Sequence, residues 1–175
     1  MQTWKLKFPL LLSFLLVLAI LAHADSPLAD TIKSGDRQGA MALIRAGADV
    51  NEPQNDGTTA LHWAVYQVDP ELVETLLRNE AGANVSNAFG ATPLSQAARV
   101  ANADMVAMLL DAGADPDMAN SDGQTPLMLA AWTGVVEVAE LLINHGANVN
   151  AEEGWTGQSA LMWAASRNHP DMAEL

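Results

Sequence analysis

Apolar residues recur along this chain with the spacing of one helix face, and polar turns separate them. At 13, 14, 17 and 18 positions after Thr59, Thr92 and Thr125 the residues are apolar. These residues are Leu72, Val73, Leu76 and Leu77; Met105, Val106, Leu109 and Leu110; Val138, Ala139, Leu142 and Ile143. Such spacing predicts an amphipathic helix. A shorter stretch before it begins at Thr or Ser, which suits a helix N-cap, so the pattern predicts pairs of helices.

The helix-pair pattern is repeated along the chain at a nearly constant interval. Its starting hydroxyl residue recurs at intervals of 33, 33, 33 and 34 residues, at Ser26, Thr59, Thr92, Thr125 and Ser159. A fixed period of this length is typical of a stacked array. We therefore predict an all-α repeat solenoid over residues 25–175, with a polar first unit as its cap. The predicted units span about residues 25–54, 55–87, 88–120, 121–153 and 154–175.

Glycine marks the predicted end of the second helix in most units. Gly47, Gly113 and Gly146 each lie 21 residues after the starting Thr or Ser, where a glycine readily ends a helix. The second unit has its glycine at Gly82 instead. We therefore predict two extra residues near Asn79 and Glu80, followed by an irregular loop. The fourth loop is one residue longer than its neighbours.

Several motifs at this spacing resemble the signature of the ankyrin-repeat family. Residues 59–64 read Thr-Ala-Leu-His-Trp-Ala, and residues 125–131 read Thr-Pro-Leu-Met-Leu-Ala-Ala. Residues 47–51 and 146–150 provide the matching ends, Gly-Ala-Asp-Val-Asn and Gly-Ala-Asn-Val-Asn. The resemblance covers about residues 26–175. It implies antiparallel helix pairs joined by β-hairpin-like loops, a protein-binding role, and a structural hydrogen bond from His62 to a neighbouring loop.

The first 24 residues have the features of a secretory signal peptide. Lys5 and Lys7 precede an apolar run over residues 10–22, and residues 22–24 read Ala-His-Ala, a small-x-small cleavage site. We expect cleavage before Asp25 and export to a bacterial periplasm or to the exterior. The alternative is an uncleaved segment that anchors the protein in a membrane through residues 10–22.

Charge and composition narrow the classes of partner and chemistry. The net charge is −13, and without residues 1–24 there remain 6 basic and 21 acidic residues. Such a chain repels nucleic acid. We expect a protein partner with a neutral or basic patch, no nucleic acid, a monomer, and membrane contact only if the signal is retained. The absence of cysteine excludes disulfides, thiol catalysis and cysteine zinc sites.

The residues contain no recognisable catalytic constellation, so we predict a protein that is not an enzyme and uses no cofactor or metal. Asp115, Asp117 and Asp122 lack the spacing and closing Glu of a calcium loop. The fifth unit stops at Leu175, midway through its second helix. We therefore expect that more chain follows. The alternative function is an N-terminal recognition domain of a longer exported enzyme.

Candidate partner-binding residues lie where the repeat does not dictate identity. The resemblance implies a concave contact face formed by the loop tips and the first helices. On this face we select large or charged residues of kinds that are common in interface hot spots: Tyr66, Phe89, Arg99, Trp132 and Trp155. Alternatively, Tyr66 and Trp132 pack over a neighbouring repeat. Trp63 and Trp163 are expected in the core between repeats.

Overall fold

The computed structural model describes residues 26–175. The predicted signal peptide, residues 1–24, lies outside the described residues. Residues 26–175 form ten helices and no strands, which confirms the all-α prediction. The helices are α1 (Pro27–Lys33), α2 (Arg37–Arg45), α3 (Ala60–Tyr66), α4 (Pro70–Arg78), α5 (Pro93–Arg99), α6 (Ala103–Asp111), α7 (Pro126–Thr133), α8 (Val136–Asn144), α9 (Ala160–Ser166) and α10 (Pro170–Ala173).

The helices pack in consecutive pairs that form two layers. Helix α1 packs against α2, α3 against α4, and so on to α9 against α10. The first helices of successive units contact one another in order, from α1 to α9, and the second helices do the same from α2 to α10. Each unit therefore contacts its immediate neighbours, as a stacked array requires.

Small residues in the first helices allow this close stacking. Ala64, Ala97, Ala130 and Ala164 are all at most 1% exposed. Large residues of the second helices fill the space between layers, and these are at most 2% exposed: Leu72, Leu76, Met105, Leu109, Val138 and Leu142. Burial of each large side chain contributes about 1.5–3 kcal/mol. The helix faces predicted from the apolar spacing are thus the faces that form the core.

Hydroxyl residues cap the first helices as predicted. The side chains of Ser26, Thr92, Thr125 and Ser159 each accept a hydrogen bond from the backbone N–H three residues later. This satisfies one of the donors that a helix start leaves unpaired. The capping hydroxyls therefore account for the Thr or Ser that opens these four units, whereas Thr59 makes no such cap bond and its N–H donates to the His62 side chain instead.

The prediction of two extra residues near Asn79 and Glu80 is wrong. Gly47, Gly113 and Gly146 adopt φ values of 83°, 83° and 90°, and Glu80 adopts 64° at the same place in the second unit. The backbone hydrogen bond that follows is also the same as in the other units, because Ala81 N–H donates to Leu76 C=O over 3.0 Å. Glu80 therefore replaces the glycine without any insertion. The sequence misled because glutamate seldom adopts a left-handed conformation.

The loop after Glu80 is regular, so the irregular loop predicted there is also wrong. The Asn87 N–H donates to Ala91 C=O over 3.1 Å, and Asn120 makes the same bond to Gln124 over 3.0 Å. The fourth loop differs, because its Glu153 N–H donates to Gln158 one residue further along. The extra residue predicted in that loop therefore widens its turn.

Neighbouring loops are joined by backbone hydrogen bonds on one side of the array. Ala88 N–H donates to Asp56 C=O over 2.7 Å, and Ser121 N–H donates to Phe89 C=O over 3.2 Å. A Cβ atom at Gly90 would lie 2.5 Å from the Ser121 nitrogen. Glycine at this tip is therefore required by the close approach of the next loop. The stacking brings loop residues about one repeat apart in sequence into contact.

Candidate functional site

The five candidate residues are all exposed. Tyr66 and Arg99 are the last residues of α3 and α5, and Trp132 lies near the end of α7. Phe89 and Trp155 lie in the second and fourth loops. The exposed fractions are 58% for Tyr66, 68% for Phe89, 48% for Trp132 and 81% for Trp155. The exposure that a contact residue needs is therefore present, and partner binding stays a prediction.

Three of the five meet in one cavity. Tyr66, Phe89 and Arg99 line an open cavity of about 280 Å³ between the loops and the first helices, together with Asp56 and Trp63. The residues come from two successive units. The cavity therefore depends on the stacking of the loops.

A second cavity of about 540 Å³ adjoins the first. Phe89, Gln96 and Arg99 line both cavities. The far side of the second cavity is lined by Asp122 and Leu129 of the fourth unit. We call the two cavities together the loop–helix groove. The groove spans the second, third and fourth units.

Tyr66 is held in place by the half-buried side chain of Trp63. Their ring centres are 5.7 Å apart with an interplanar angle of 86°, an edge-to-face arrangement that aromatic pairs favour. Trp63 Nε1 donates to Gln54 Oε1 over 2.8 Å. Lys33 Nζ lies 4.9 Å from the centre of the Trp63 ring. One wall of the groove is therefore ordered by packing and hydrogen bonding before any partner arrives.

Trp132 belongs to a separate cluster with the fifth unit. Its ring centre lies 5.5 Å from that of Trp163, and the guanidinium carbon of Arg167 lies 3.0 Å from its centre. The alternative interpretation, that this side chain packs over a neighbouring repeat, therefore applies to Trp132. Trp163 is half-buried against the core, as predicted for it and for Trp63.

Trp155 lies at a loop tip that is organised by Glu153. The Glu153 carboxylate is buried and accepts hydrogen bonds from the N–H groups of Trp155 (2.7 Å), Thr156 (2.8 Å) and Gln158 (3.2 Å), and from the Thr156 hydroxyl. The Thr156 hydroxyl and these N–H groups lower the pKa of Glu153 to about 2. An ionised Glu153 therefore fixes the tip that exposes Trp155, away from the loop–helix groove.

Gln96 is a groove residue that sequence reasoning missed. It lies four residues after Thr92, where the second, fourth and fifth units place Trp63, Leu129 and Trp163 and the first unit places Asp30. Its Oε1 atom is buried and has no hydrogen-bond partner among the described residues. The available signal was a polar residue at a position that the second, fourth and fifth units fill with a large apolar side chain.

The Arg99 guanidinium has no ion-pair or hydrogen-bond partner within residues 26–175. Arg37, in contrast, pairs with Asp69 over 2.8 Å and also with Glu71. The Asp122 carboxylate, across the second cavity, also has no partner in that part of the chain. The groove therefore presents a donor and an acceptor that the fold does not use.

His62 has the structural role that the family resemblance implied. Its Nε2 lies 3.0 Å from the Ala91 carbonyl oxygen of the next unit, and its Nδ1 accepts from the Thr59 N–H over 3.1 Å. Burial lowers the pKa of His62, so the ring is neutral. Both nitrogens are occupied by backbone groups, and the ring therefore joins two units.

Over residues 26–175, no three His, Cys, Asp or Glu side chains are grouped so as to hold a metal ion. No helix in that range combines the length and the apolar character needed to cross a membrane.

Comparison with known proteins places this architecture in a family. A family model described as ankyrin repeats (3 copies) matches residues 28–120, 68–153 and 102–175. A comparison with curated proteins finds no match. The matched ranges together cover all five helix pairs and the loops between them. The chain therefore belongs to the ankyrin-repeat family.

Proposed function

We propose that this protein is an exported, non-catalytic module that binds a protein partner on its concave face, through the loop–helix groove. Ankyrin repeats are generally protein–protein interaction modules. The observation that carries the proposal is the meeting of Tyr66, Phe89 and Arg99 in one exposed cavity. None of these identities is required by the repeat, so their grouping supports selection for contact with a partner.

The energetics of the groove favour a stable protein contact. Tyr and Arg are enriched among residues that dominate binding energy, and grouped exposed apolar residues mark interaction surfaces. Tyr66 is already packed against Trp63, so little side-chain entropy is lost when a partner binds. The strongly acidic chain favours a partner with a neutral or basic surface and disfavours nucleic acid.

Export is proposed from residues 1–24. The two lysines, the apolar run over residues 10–22 and the Ala-His-Ala sequence support a cleaved signal. N-terminal sequencing of the protein recovered from the periplasm or medium is the test. A chain beginning at Asp25 supports cleavage, whereas a membrane-associated chain that retains residue 1 supports the anchored alternative.

Partner capture with matched variants tests the binding function. Affinity capture from the exported compartment, read by quantitative mass spectrometry, is compared for the wild type and for a Phe89→Ala/Arg99→Ala variant. We expect the variant to capture about tenfold less, or lower still, of at least one protein than the wild type does. The reason is that each lost hot-spot residue costs more than about 1 kcal/mol of binding free energy.

The control variant is Arg45→Ala. Arg45 is an exposed arginine at the end of a helix, as Arg99 is, but it ends the second helix α2 and does not line the groove. Capture should be unchanged in this variant. Equal capture by the wild type and the groove variant would refute binding through the groove.

A further inference from the structure

The loop–helix groove contains a polar side chain, Gln96, at a repeat position that is apolar in the second, fourth and fifth units. Gln96 replaces the large apolar side chains of Trp63, Leu129 and Trp163, and its Oε1 is buried without a partner. A buried polar atom without a hydrogen bond costs about 1–3 kcal/mol and is uncommon in folded proteins. Positions that break a local rule are often functional sites. Gln96 therefore offers an unused acceptor to a hydrogen-bonding ligand.

Polar and apolar groups follow one another in order along the groove. The first cavity has the aromatic rings of Tyr66 and Phe89. Phe89, Gln96 and Arg99 lie between the cavities, because all three line both of them. The second cavity has the unpaired carboxylate of Asp122. The order is thus an apolar site, a central donor and acceptor, and an anionic site.

The dimensions of the array match an extended polypeptide. Packed helices lie about 8–10 Å apart, so equivalent sites on successive units have about this separation. An extended polyproline II segment advances about 3.1 Å per residue with three residues per turn, so side chains three positions apart point the same way. Three residues of such a segment therefore cover one unit. A peptide group carries both an N–H donor and a C=O acceptor, which are the groups that Gln96 and Arg99 lack.

We propose that the groove binds an extended peptide segment of the partner with an apolar residue followed or preceded, three positions away, by lysine or arginine. This inference rests on the proposed function. The apolar side chain lies between Tyr66 and Phe89, and the basic side chain pairs with Asp122. The backbone between them donates to Gln96, whose amide turns toward the peptide, and accepts from Arg99.

Charge favours a basic over an acidic segment. The two aspartates that line the groove, Asp56 and Asp122, outnumber its single arginine, Arg99. The chain as a whole carries a net charge of −13, which raises the association rate of a basic ligand. Arg99 alone does not attract an acidic segment against this field. Its planar guanidinium matches carbonyl oxygens of a peptide backbone.

A library of random 12-residue linear peptides displayed on phage tests the inference. The wild type is used for selection, and the Tyr66→Ala/Phe89→Ala variant is used to remove peptides that bind elsewhere. We expect the retained peptides to share an apolar residue and, three positions away, lysine or arginine. A retained peptide is then synthesised, and its Kd is measured by calorimetry.

Variants of Asp122 and Gln96 test the two polar contacts. Asp122→Asn should lower the affinity for the basic peptide about tenfold. It should leave unchanged the affinity for a peptide in which glutamine replaces the lysine or arginine. Asp104→Asn, an exposed aspartate of α6 outside the groove, should have no effect. Gln96→Leu should raise the melting midpoint of the protein, because it removes an unsatisfied polar atom. The same variant should lower the affinity for the peptide.

The outcomes separate this inference from the proposed function. Peptides that depend on Tyr66 and Phe89 but show no basic residue, or no loss with Asp122→Asn, overturn the peptide inference and leave groove binding intact. Failure to select any peptide also overturns it, because a short segment should suffice. Retained capture of partners by the Phe89→Ala/Arg99→Ala variant refutes the proposed function itself.

Discussion

The Nε2 atom of His62 lies 3.0 Å from the carbonyl oxygen of Ala91, so the ring of one unit holds the loop of the next. The Nδ1 atom accepts from the Thr59 N–H, which leaves the proton of a neutral ring on Nε2. Protonation of Nδ1 would remove the hydrogen bond from the Thr59 N–H, because Nδ1 could no longer accept it. The same ring therefore caps α3 and positions a loop that lines the groove.

The stability of the protein should fall when the pH drops below about 6.5. Burial lowers the folded pKa of His62 below its ordinary value of 6.5, so the unfolded chain binds this proton first. The free energy of unfolding is therefore greatest above pH 6.5 and decreases toward the folded pKa. Urea unfolding at pH 7.5 and 5.5 measures it. The loss of unfolding free energy between pH 7.5 and 5.5 should be smaller in His62→Gln than in the wild type. It should be unchanged in His145→Gln, a control at an exposed histidine.

Val68→Gly should stabilise the protein by about 1 kcal/mol. Val68 has φ 56° and is 47% exposed, and a left-handed conformation costs an L-residue about 1–2 kcal/mol. Gly35 and Gly134 occupy the same repeat position. Val100→Gly is the matched control, because Val100 has φ −83° and its replacement should destabilise by about 0.5–1 kcal/mol. Equal effects in thermal melts would contradict the strain at Val68.

Leu109→Ala should destabilise the protein by about 2–5 kcal/mol, because it leaves a cavity among fully packed side chains. Leu109 is fully buried between the helix layers. Leu161→Ala removes the same atoms from a side chain that is 57% exposed, so its effect should be within about 0.5 kcal/mol. Chemical denaturation of both variants checks the contrast.

The carboxyl group of Glu153 should titrate with a pKa of about 2. A lowered pKa stabilises the fold above the ordinary value near 4.5, and this contribution is lost as the pH falls toward 2. Side-chain NMR titration measures the pKa directly. Glu153→Gln should lessen the loss of stability between pH 4.5 and 2, whereas Glu152→Gln, at the exposed neighbour, should leave it unchanged. A Glu153 pKa near 4.5 would exclude this role in the loop.

Tyr66→Ala and Phe89→Ala should differ in stability while both weaken partner binding. Tyr66 packs edge-to-face against Trp63, and such a pair contributes about 0.5–1.5 kcal/mol. Phe89 is 68% exposed, so its truncation should change stability by less than about 0.5 kcal/mol. Thermal melts measure the difference. Phe89 is therefore the cleaner probe of binding, and a large loss of stability in Phe89→Ala would show that it supports the fold.

The repeat pattern was sufficient to predict the helix pairs, their caps and their buried faces. Residues of the same kind as Thr92, Leu94 and Leu109 occupy equivalent positions in other units, because each unit must cap, pack and end its helices in the same way. Their local roles depend on near neighbours in the sequence, and the period makes these roles visible.

The tertiary structure decided which unit-specific residues lie together. It separated Trp132, which packs with Trp163 and Arg167, from Tyr66, Phe89 and Arg99 in the groove. It also placed Glu80 in a left-handed conformation and left Gln96 without a partner.

The grouping of the groove residues depends on contacts between units, which the sequence of a single unit does not specify. The sequence by itself determined the array, because helix capping and apolar spacing are local. The groove was decided by the stacking of successive units, since only packed neighbouring units bring Tyr66 and Phe89 to one surface.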